Sequence, residues 1–484
     1  MTGDPVDNRP AGIAGVGPRR TVAVVGGGIS GLAAAARLAA ERADLQVIVL
    51  EAGPRVGGKL RRVEVGGAWI DVGAESLLAM RPEGLAVVDA AGLTGAVIHP
   101  QTTAALLRNR GHNRSLPART LMGIPSDVEA ARSAAVLSEP TLARIAAEPE
   151  DAPPLADDIS VGDLVAQRFG DEVVQRLVDP LLGGVYAGQA HGISVQAAMP
   201  TLFNRLADKG GSLREAAAAN VAAGAREPEP GRPARPVFAS LTGGLARLPE
   251  TLAAGLDVRT NSAVRAVSRT PTGFRLELGS VAEARALEVD GLILATPAGK
   301  TASLLAELAP VAAGELTGIV TASMAIVTLA FAGAIQLPPG SGVLIPHVEG
   351  LASKAMTFSS QKWPGVGAEA GVTLLRASLG RAGDERTLQQ EDGALVAAVR
   401  AELAELTGVD DVPVEAHVQR WGGALPQYAV GHVDRVARIR HAVAGVAGLA
   451  VCGATYQGVG IPACIATAHT AADQVSKALA ASAQ

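Results

Sequence analysis

Residues 21–31, TVAVVGGGISG, decide the fold of this chain. A short apolar run rich in valine leads directly into a glycine-rich turn, and an Ala- and Leu-rich helical pattern follows over 32–40. A second apolar run, 47–50, ends on Glu51. A strand, a G-x-G-x-x-G turn, a helix and a second strand that ends on an acid together predict a βαβ unit that binds a dinucleotide.

Each glycine of this turn has its own physical reason. Gly26 permits the tight turn, Gly28 lets the backbone approach a pyrophosphate, and Gly31 lets the helix pack close to the strand. The helix N-terminus offers N–H groups to the anion, and Glu51 is expected to accept hydrogen bonds from ribose hydroxyls. In a chain with 57 glycines the motif alone could mark an ordinary turn, but the elements around it favour a nucleotide.

Composition limits the classes of function. The chain has 484 residues, enough for two or three domains, and 48% of them are hydrophobic although only 2% are aromatic. The formal net charge of −5 does not favour binding to nucleic acid, so an anionic substrate needs local Arg or Lys. Two cysteines, Cys452 and Cys464, predict neither a disulfide framework nor a metal site. We expect a cytoplasmic protein without a transmembrane segment, with or without peripheral contact with a membrane surface.

The apolar pattern predicts an α/β protein (α+β overall) with a discontinuous, Rossmann-like nucleotide-binding domain. This domain is expected to comprise 21–97, 236–300 and 419–484, after a disordered tail at 1–20. A mainly helical domain is expected over 98–235, and a substrate-binding domain over 301–418. Predicted strands are 62–65, 68–72, 257–260, 263–269, 274–278, 292–296 and 449–452, and Ser160 with Asp163 predicts a capping box.

Several motifs resemble one known family. Residues 55–59, RVGGK, resemble the second phosphate loop of FAD-containing amine oxidases and protoporphyrinogen oxidases, and residues 180–188, PLLGGVYAG, look like a signature of porphyrinogen oxidases. Further stretches similar to that family are 75–77 with 81–82, 122–125, 240–245, 357–363, 426–428 and 458–462. After residue 20 nearly the whole chain resembles the bacterial oxidases of protoporphyrinogen and coproporphyrinogen III.

The resemblance implies a non-covalent FAD. It places the helix that opens at Gly458–Pro462, with Pro462 in the first helical position, against the flavin, where the partial positive charge of the helix end would stabilise negative charge. Cys464 in the first turn is expected to be a packing residue rather than a covalent link. The implied cofactor-binding residues are Gly26, Gly28, Ile29, Ser30, Gly31, Glu51, Ala52, Arg55, Gly57, Gly58, Lys59, Gly73, Ala74, Glu75, Ser76, Val258, Thr296, Trp421, Gly453, Gly460, Ile461 and Pro462.

Four residues are candidates for the substrate site. The resemblance places Arg81 near a substrate propionate, although an arginine before Pro82 can also be an ordinary surface residue. Tyr186 is expected either to line the pocket or to pack at a domain seam. Lys354 and Arg376 are further candidate cations, each with a structural role as its alternative. The histidines form no recognisable catalytic set, so no general base is named.

The implied reaction is the six-electron aromatisation of a porphyrinogen by O2, in three two-electron rounds that release hydrogen peroxide. Coproporphyrinogen III is the expected substrate and protoporphyrinogen IX the alternative, and a ferrochelatase-type enzyme is the expected next partner. A flavin amine oxidase is a rival, but an aromatic cage is hard to build from three Tyr, three Trp and six Phe. A carotenoid desaturase and a non-redox protein similar to GDP-dissociation inhibitors are further rivals.

Overall fold

The structure is a computed structural model that describes residues 19–224, 236–280 and 283–482. The predicted disordered tail at 1–20 falls almost wholly outside the described residues. Elements within the described ranges are numbered in chain order.

The strands vary from two to twelve residues. They are β1 Arg20–Val25, β2 Leu45–Leu50, β3 Arg62–Val65, β4 Ala68–Asp71, β5 Leu77–Leu78, β6 Val97–Ile98, β7 Leu106–Asn109, β8 His112–Ser115, β9 Thr120–Leu121, β10 Ile124–Pro125, β11 Phe238–Leu241, β12 Asp257–Arg259, β13 Val264–Arg269, β14 Phe274–Leu278, β15 Arg285–Val289, β16 Gly291–Leu294, β17 Thr321–Ala332, β18 Gly342–Leu344, β19 Ser353–Thr357, β20 Val372–Leu379, β21 Glu415–Pro426 and β22 Leu449–Val451.

The α-helices vary from three to twenty-one residues. They are α1 Ile29–Glu41, α2 Pro82–Ala90, α3 Val128–Ser133, α4 Glu139–Ala146, α5 Val161–Phe169, α6 Asp171–Val173, α7 Asp179–Tyr186, α8 Val195–Ala198, α9 Pro200–Lys209, α10 Leu213–Gly224, α11 Arg247–Ala254, α12 Ala298–Leu305, α13 Pro310–Thr317, α14 Ser359–Lys362, α15 Asp392–Thr407, α16 His432–Ala444 and α17 Ile461–Ala481.

A five-stranded parallel sheet forms the nucleotide-binding half of the molecule. Its order is β12-β2-β1-β16-β22, and Val24 of the central strand pairs with Val49 on one side and Ile293 on the other. Helices α1 and α17 cover one face of this sheet and meet through small buried residues such as Ala34 and Ala471. Because small side chains let helices approach closely, the alanine content serves packing here. The predicted α/β fold with a Rossmann-like domain is confirmed.

A seven-stranded sheet forms the other half, in the order β21-β17-β20-β19-β18-β7-β8. Its pairs are antiparallel, apart from β18 with β7. Helix α15 covers one face through Leu395, Val399 and Leu403, whose spacing of four residues places them on one side of a helix. The other face is directed towards the nucleotide-binding half, as the contacts of Arg376 below show.

Helices α3 to α10 pack around a third core that includes Phe169 and Leu177. The Ser160 hydroxyl accepts a hydrogen bond from the Asp163 N–H at 2.9 Å, so the predicted N-cap of α5 is present. Residues 174–178 form a single π-helical segment directly before α7. Such segments widen a helix locally and often lie near functional sites.

Most of the predicted strands are present within a residue or two of their expected bounds. The strand β15 was missed because Arg285–Val289 is largely exposed and carries two charges in five residues, so its apolar signal is weak. All five strands of the parallel sheet lie at or within one residue of the segments predicted for the nucleotide-binding domain. The hairpin β7–β8 belongs by sequence to the predicted helical domain, 98–235. It pairs with β18 in the seven-stranded sheet, which comes mainly from the predicted substrate-binding domain, 301–418. The division into domains stays a prediction.

Within the ranges that the structure describes, no helix combines the length and the apolar character needed to cross a membrane.

Candidate functional site

The glycine-rich turn between β1 and α1 leaves an open cradle. Gly28 is the N-cap of α1, and a Cβ added to it would meet no atom within 4 Å. Gly31 and Gly26 are different, because a Cβ on Gly31 would lie 1.9 Å from the Gly26 carbonyl oxygen, and one on Gly26 would lie 2.7 Å from that of Ala295. The first N–H groups of a helix have no acceptor within it, so those of α1 are directed into the space at Gly28.

The Glu51 carboxylate joins this turn to the next one. One of its oxygens accepts a hydrogen bond from the Gly27 N–H at 2.7 Å, and the other accepts from the Gly53 N–H at 2.8 Å. Each carboxylate oxygen can accept a second hydrogen bond, so a ribose hydroxyl can still donate to it. Glu51 therefore fixes the shape of the cradle, and its predicted contact with a ribose stays a prediction.

The second glycine-rich loop lies against the first. The Gly57 N–H donates to the Gly27 carbonyl at 2.8 Å, and Gly57 and Gly58 both have positive φ values, 97° and 56°. A Cβ on Gly58 would lie 3.3 Å from the Gly28 Cα. The Arg55 guanidinium donates to the carbonyls of its own loop, at Val56 and Gly58. The predicted pair of phosphate loops therefore forms one continuous surface.

Lys59 extends this surface towards the start of α17. Burial lowers the pKa of Lys59, and the same effect raises the pKa of the nearby Cys464 thiol. The Cys464 Sγ lies 3.9 Å from the Gly458 carbonyl and 3.8 Å from the Val459 carbonyl. A protonated thiol that contacts backbone carbonyls is a packing group, as the sequence predicts for Cys464.

Helix α17 begins beside these loops. Gly460 is its N-cap and Ile461 its first residue, so Pro462 occupies the second helical position and not the predicted first. The Gly453 N–H donates to the Thr467 hydroxyl, which ties the preceding loop to the helix. A Cβ on Gly84 of α2 would lie 3.2 Å from Pro462 Cγ, so the start of α2 is packed against the start of α17.

Residues 71–76 run between the two halves of the molecule. The Trp421 indole donates to the Val72 carbonyl at 2.8 Å, and the Ala74 N–H donates to the Lys59 carbonyl. The Arg376 guanidinium donates to the carbonyls of Asp71 at 2.7 Å and Gly73 at 3.1 Å. The seven-stranded sheet thus holds this segment against the cradle through β20 and β21.

The Glu75 carboxylate is shared by two cations from the seven-stranded half. Lys362 Nζ donates to one oxygen at 2.6 Å, and Arg376 Nη1 donates to the other at 3.0 Å. The two positive charges hold the pKa of Glu75 at about 2, although burial acts in the opposite direction. Arg376 and Glu75 are therefore paired with each other. The predicted contacts of Arg376 with a substrate and of Glu75 with the cofactor stay predictions.

Asp71 is a second buried acid that the sequence did not single out. Its carboxylate accepts hydrogen bonds from the N–H groups of Leu245 at 2.7 Å and Ala246 at 3.1 Å, where α11 begins. Burial raises the pKa of Asp71 to about 6. This side chain links β4 to the loop of the family-like stretch 240–245. A contact between residues 174 positions apart has no local signal in the sequence.

Tyr186 lies at a seam, one of its two predicted locations, and its contact with a substrate stays a prediction. Its side chain is buried, and its ring lies 5.6 Å from that of Tyr428 in the core of the helical half. The Tyr428 hydroxyl in turn donates to the Ala454 carbonyl and accepts from the Gly458 N–H at 2.8 Å. Tyr186 therefore packs at a seam between α7 and the loop before α17, whereas its neighbours Gly184 and Val185 are exposed.

The remaining predicted residues occupy several places. Arg81 is the N-cap residue of α2, is exposed, and pairs with Glu83 at 2.6 Å. Lys354 is buried on β19, and its Nζ donates to the Gly380 carbonyl at 2.9 Å. Val258 pairs with Val49 at the edge of the parallel sheet, and the Thr296 methyl faces Gly26. Direct contact of Ile29, Ser30, Ala52 and Ser76 with a cofactor stays a prediction.

Comparison with known proteins agrees with this geometry. The family model for flavin containing amine oxidoreductases matches residues 29–476, and the chain belongs to that family. The coproporphyrinogen III oxidase of Mycobacterium tuberculosis is 39% identical over 475 residues, which cover 95% of this chain and 98% of that protein. The enzyme of the same name from Bacillus subtilis is 30% identical over 465 residues and covers 92% and 96%. A crystal structure from Exiguobacterium sp. 255-15, provisionally named a protoporphyrinogen oxidase, has a TM-score of 0.83 with 30% identity over 96% of this chain and 99% of that one.

The cofactor of this chain is FAD. The open space at Gly28, the N-terminus of α1 beside it and the carboxylate of Glu51 fit a dinucleotide. The loops at 57–59, the segment 72–76 and the start of α17 continue from that cradle, and these are the residues that would hold the flavin end.

Gly28→Val is expected to abolish flavin binding and leave the folded apoprotein intact. The new side chain has free space in the protein but fills the path of the pyrophosphate. The quenching of flavin fluorescence by apoprotein measures binding, and urea unfolding measures stability. Gly299→Val, which also adds a side chain where no atom lies within 4 Å, is the matched control and should still bind FAD. Retention of flavin by Gly28→Val would contradict the assigned cradle.

Glu75→Gln is expected to lower the free energy of unfolding by about 3–5 kcal/mol at pH 7, because two largely buried cations lose their shared anion. A carboxyl with a depressed pKa stabilises the fold fully above its ordinary value of 4.5 and loses that effect as pH falls towards about 2. The difference between the variant and the parent should therefore shrink over that range. Urea unfolding of the apoproteins measures it, and Glu64→Gln on the exposed side of β3 is the control. Equal effects of the two substitutions would count against the ion-pair role.

Proposed function

We propose that this protein oxidises coproporphyrinogen III to coproporphyrin III with O2 as the electron acceptor. The reaction removes six electrons and six protons from the tetrapyrrole in three rounds, and three O2 molecules become three H2O2. The cradle at Gly28 and the family of the chain support a flavin-dependent oxidation. The names of the two relatives, from Mycobacterium tuberculosis and Bacillus subtilis, support coproporphyrinogen III as the substrate.

The observation that carries this proposal against an amine oxidase is the location of the aromatic residues. All three tyrosines of the chain are buried, with 7%, 1% and 3% of Tyr186, Tyr428 and Tyr456 exposed. No tyrosine is therefore free to form an aromatic cage around an amine. The side chains exposed beside the predicted substrate site are aliphatic instead, namely Leu78, Met80 and Val185. An aliphatic surface with a cation at its edge suits a flat apolar macrocycle with carboxylate arms.

FAD, when bound, supplies the acceptor for the hydride of each two-electron round and passes the electrons to O2. The contribution of the chain is orientation. Arg81 is exposed between Met80 and α2, and α2 is packed against the start of α17, which supports a position of Arg81 near the flavin end of the cradle. A forked, charge-assisted pair with a propionate would fix the macrocycle there. Glu83, the present partner of Arg81, would be displaced or shared.

Several finer points belong to the same proposal. The flavin is held without a covalent bond, and the burial of Cys464 in the core, with its Sγ against the Gly458 and Val459 carbonyls, supports a packing role for this residue. A cytoplasmic location and transfer of the product to a ferrochelatase-type enzyme complete it. Protoporphyrinogen IX is the second candidate substrate, supported by the name given to the similar crystal structure.

The substrate assignment is tested by kcat/KM for coproporphyrinogen III and protoporphyrinogen IX under identical detergent and oxygen conditions, followed by porphyrin fluorescence. We expect the higher value for coproporphyrinogen III, because it carries propionates at the two positions where protoporphyrinogen IX has vinyl groups. A buried cation left without its carboxylate is costly, and discrimination by such contacts is therefore large. A higher value for protoporphyrinogen IX would overturn the substrate and leave the reaction class standing.

Arg81→Ala is expected to raise KM for the porphyrinogen, with a loss of roughly tenfold or more in kcat/KM, because a charge-assisted hydrogen bond is worth about 1.5–3 kcal/mol. The FAD content, read from the absorbance of the purified protein, should not change. Arg285→Ala, an exposed arginine on β15, is the control. A variant with the kinetics of the parent would refute the role of Arg81.

A further inference from the structure

Two buried cations lie together at one end of the seven-stranded sheet. Lys354 is on β19, and Arg381 follows Gly380 just after β20 ends. Only 5% of Lys354 and 8% of Arg381 is exposed. Burying a charge is costly unless partners compensate, so the contacts of each head group decide what this pair does.

Neither cation is fully satisfied by the chain. The Lys354 ammonium donates one hydrogen bond, to the Gly380 carbonyl at 2.9 Å. The Arg381 guanidinium donates one long hydrogen bond, to the Ile345 carbonyl at 3.4 Å. An ammonium has three donors and a guanidinium five, so most of their N–H groups are unused. Among residues 19–224, 236–280 and 283–482, no carboxylate lies within 4.0 Å of either group, unlike the pair that Arg376 forms with Glu75.

The surrounding acids do not replace a direct partner. Asp179, Asp384 and Glu402 act on Arg381 from a longer distance, and the Glu402 carboxylate is already occupied by the N–H groups of Ala352 and Ser353. One oxygen of the Asp179 carboxylate accepts a hydrogen bond from the Ala190 N–H at 2.6 Å. Burial, with the charge of Arg381, lowers the pKa of Lys354 to about 7. An additional anion would relieve this imbalance.

The guanidinium of Arg381 borders a cavity of about 240 Å³. Its other lining residues include His347, Thr387 and the exposed Asp384, together with the backbone at 350–352 and Gly380. This volume is below the roughly 300 Å³ at which pockets for whole small molecules begin. The cavity therefore has room for an acid arm but not for a tetrapyrrole.

The cavity lies at a suitable distance from the flavin-facing segment. Arg376 contacts residues 71–75 from the same strand, five residues before Arg381, which corresponds to roughly 16 Å along an extended chain. The Ala382 N–H donates to the Ala187 carbonyl at 2.7 Å, directly after the exposed Gly184 and Val185 of α7. The subsite requires a porphyrinogen, with its propionate arms extended, to span this distance.

We infer that Arg381, which lines the cavity, and the neighbouring Lys354, which does not line it but lies close to Arg381, form a carboxylate subsite that receives a propionate of the tetrapyrrole and selects substrates with a propionate at that position. The inference rests on the proposed function and deepens it. Arg81 and the subsite would then hold carboxylates at two places on the macrocycle. Arg381 is a cation of the proposed substrate site that the sequence did not single out.

The test uses the full-length, FAD-loaded protein and the variants Arg381→Met, Arg381→Lys and Lys354→Met. Arg386→Met is the matched control, since Arg386 is exposed in the same loop. The measurements are kcat/KM on the two porphyrinogens and the affinity for oxidised coproporphyrin III by fluorescence quenching. We expect Arg381→Met to lose about 10- to 100-fold in kcat/KM for coproporphyrinogen III and in affinity for coproporphyrin III. The loss in kcat/KM for protoporphyrinogen IX should be less than about threefold. Arg381→Lys should retain part of the affinity, and Arg386→Met should equal the parent.

Equal losses on both porphyrinogens, or no loss with coproporphyrin III, would overturn the subsite. A titration with inorganic phosphate tests whether the subsite binds a free anion instead of a propionate. The propionate assignment would also be overturned if phosphate stabilised the parent but not Arg381→Met, while the two proteins had the same kcat/KM for coproporphyrinogen III. Failure of the proposed function is separate, since it would show as absent or inferior turnover of coproporphyrinogen III by the parent protein.

Discussion

The Glu75 carboxylate, shared by Lys362 and Arg376, is the interaction on which the arrangement of the two halves depends. Glu75 belongs to the segment that runs past the flavin cradle, and both cations belong to the seven-stranded half. Breaking a buried pair leaves charges without partners, so the halves are held in one relative position. Arg376 uses its other donors on the Asp71 and Gly73 carbonyls, so the backbone of the segment is fixed together with its side chain.

A fixed position of the two halves matters for electron transfer between cofactor and substrate. A two-electron transfer needs the reacting atoms of cofactor and substrate in close, fixed alignment. The nucleotide-binding half supplies the cradle at Gly28, and the seven-stranded half supplies the wall that faces it. The ion pairs of Glu75 with Lys362 and Arg376 join the segment beside the cradle to the seven-stranded half. In the proposed function, local cations such as Arg81 and Arg381 would bind the substrate carboxylates, although the net charge of the chain is −5.

The sequence predicted what depends on neighbours along the chain. The turn at 26–31 and the start of α17 could be read because glycine spacing and helix starts are local patterns. The roles of Arg376 and Tyr186 could not. Arg376 is about 300 residues from its partners at 71–75, and Tyr186 is more than 240 from Tyr428. Whether a charged or aromatic side chain faces a pocket or a partner is decided by such distant contacts.

Arg381 is a residue that the sequence alone could not single out as a candidate. Nothing in the residues around it distinguishes it from other arginines, and only the fold reveals that its head group is buried with few partners beside a cavity. The resemblance to porphyrinogen oxidases identified the class of chemistry, whereas the residues that select a substrate required the three-dimensional arrangement.

The central claim is that the space between the two halves holds FAD and a tetrapyrrole with carboxylates bound at both ends. A crystal structure of the FAD-loaded protein with coproporphyrin III tests this most directly. We expect the pyrophosphate at Gly28, the macrocycle between the start of α17 and the seven-stranded sheet, and propionates in hydrogen-bond contact with Arg81 and Arg381. A macrocycle bound elsewhere, or one whose propionates contact neither arginine, would contradict it.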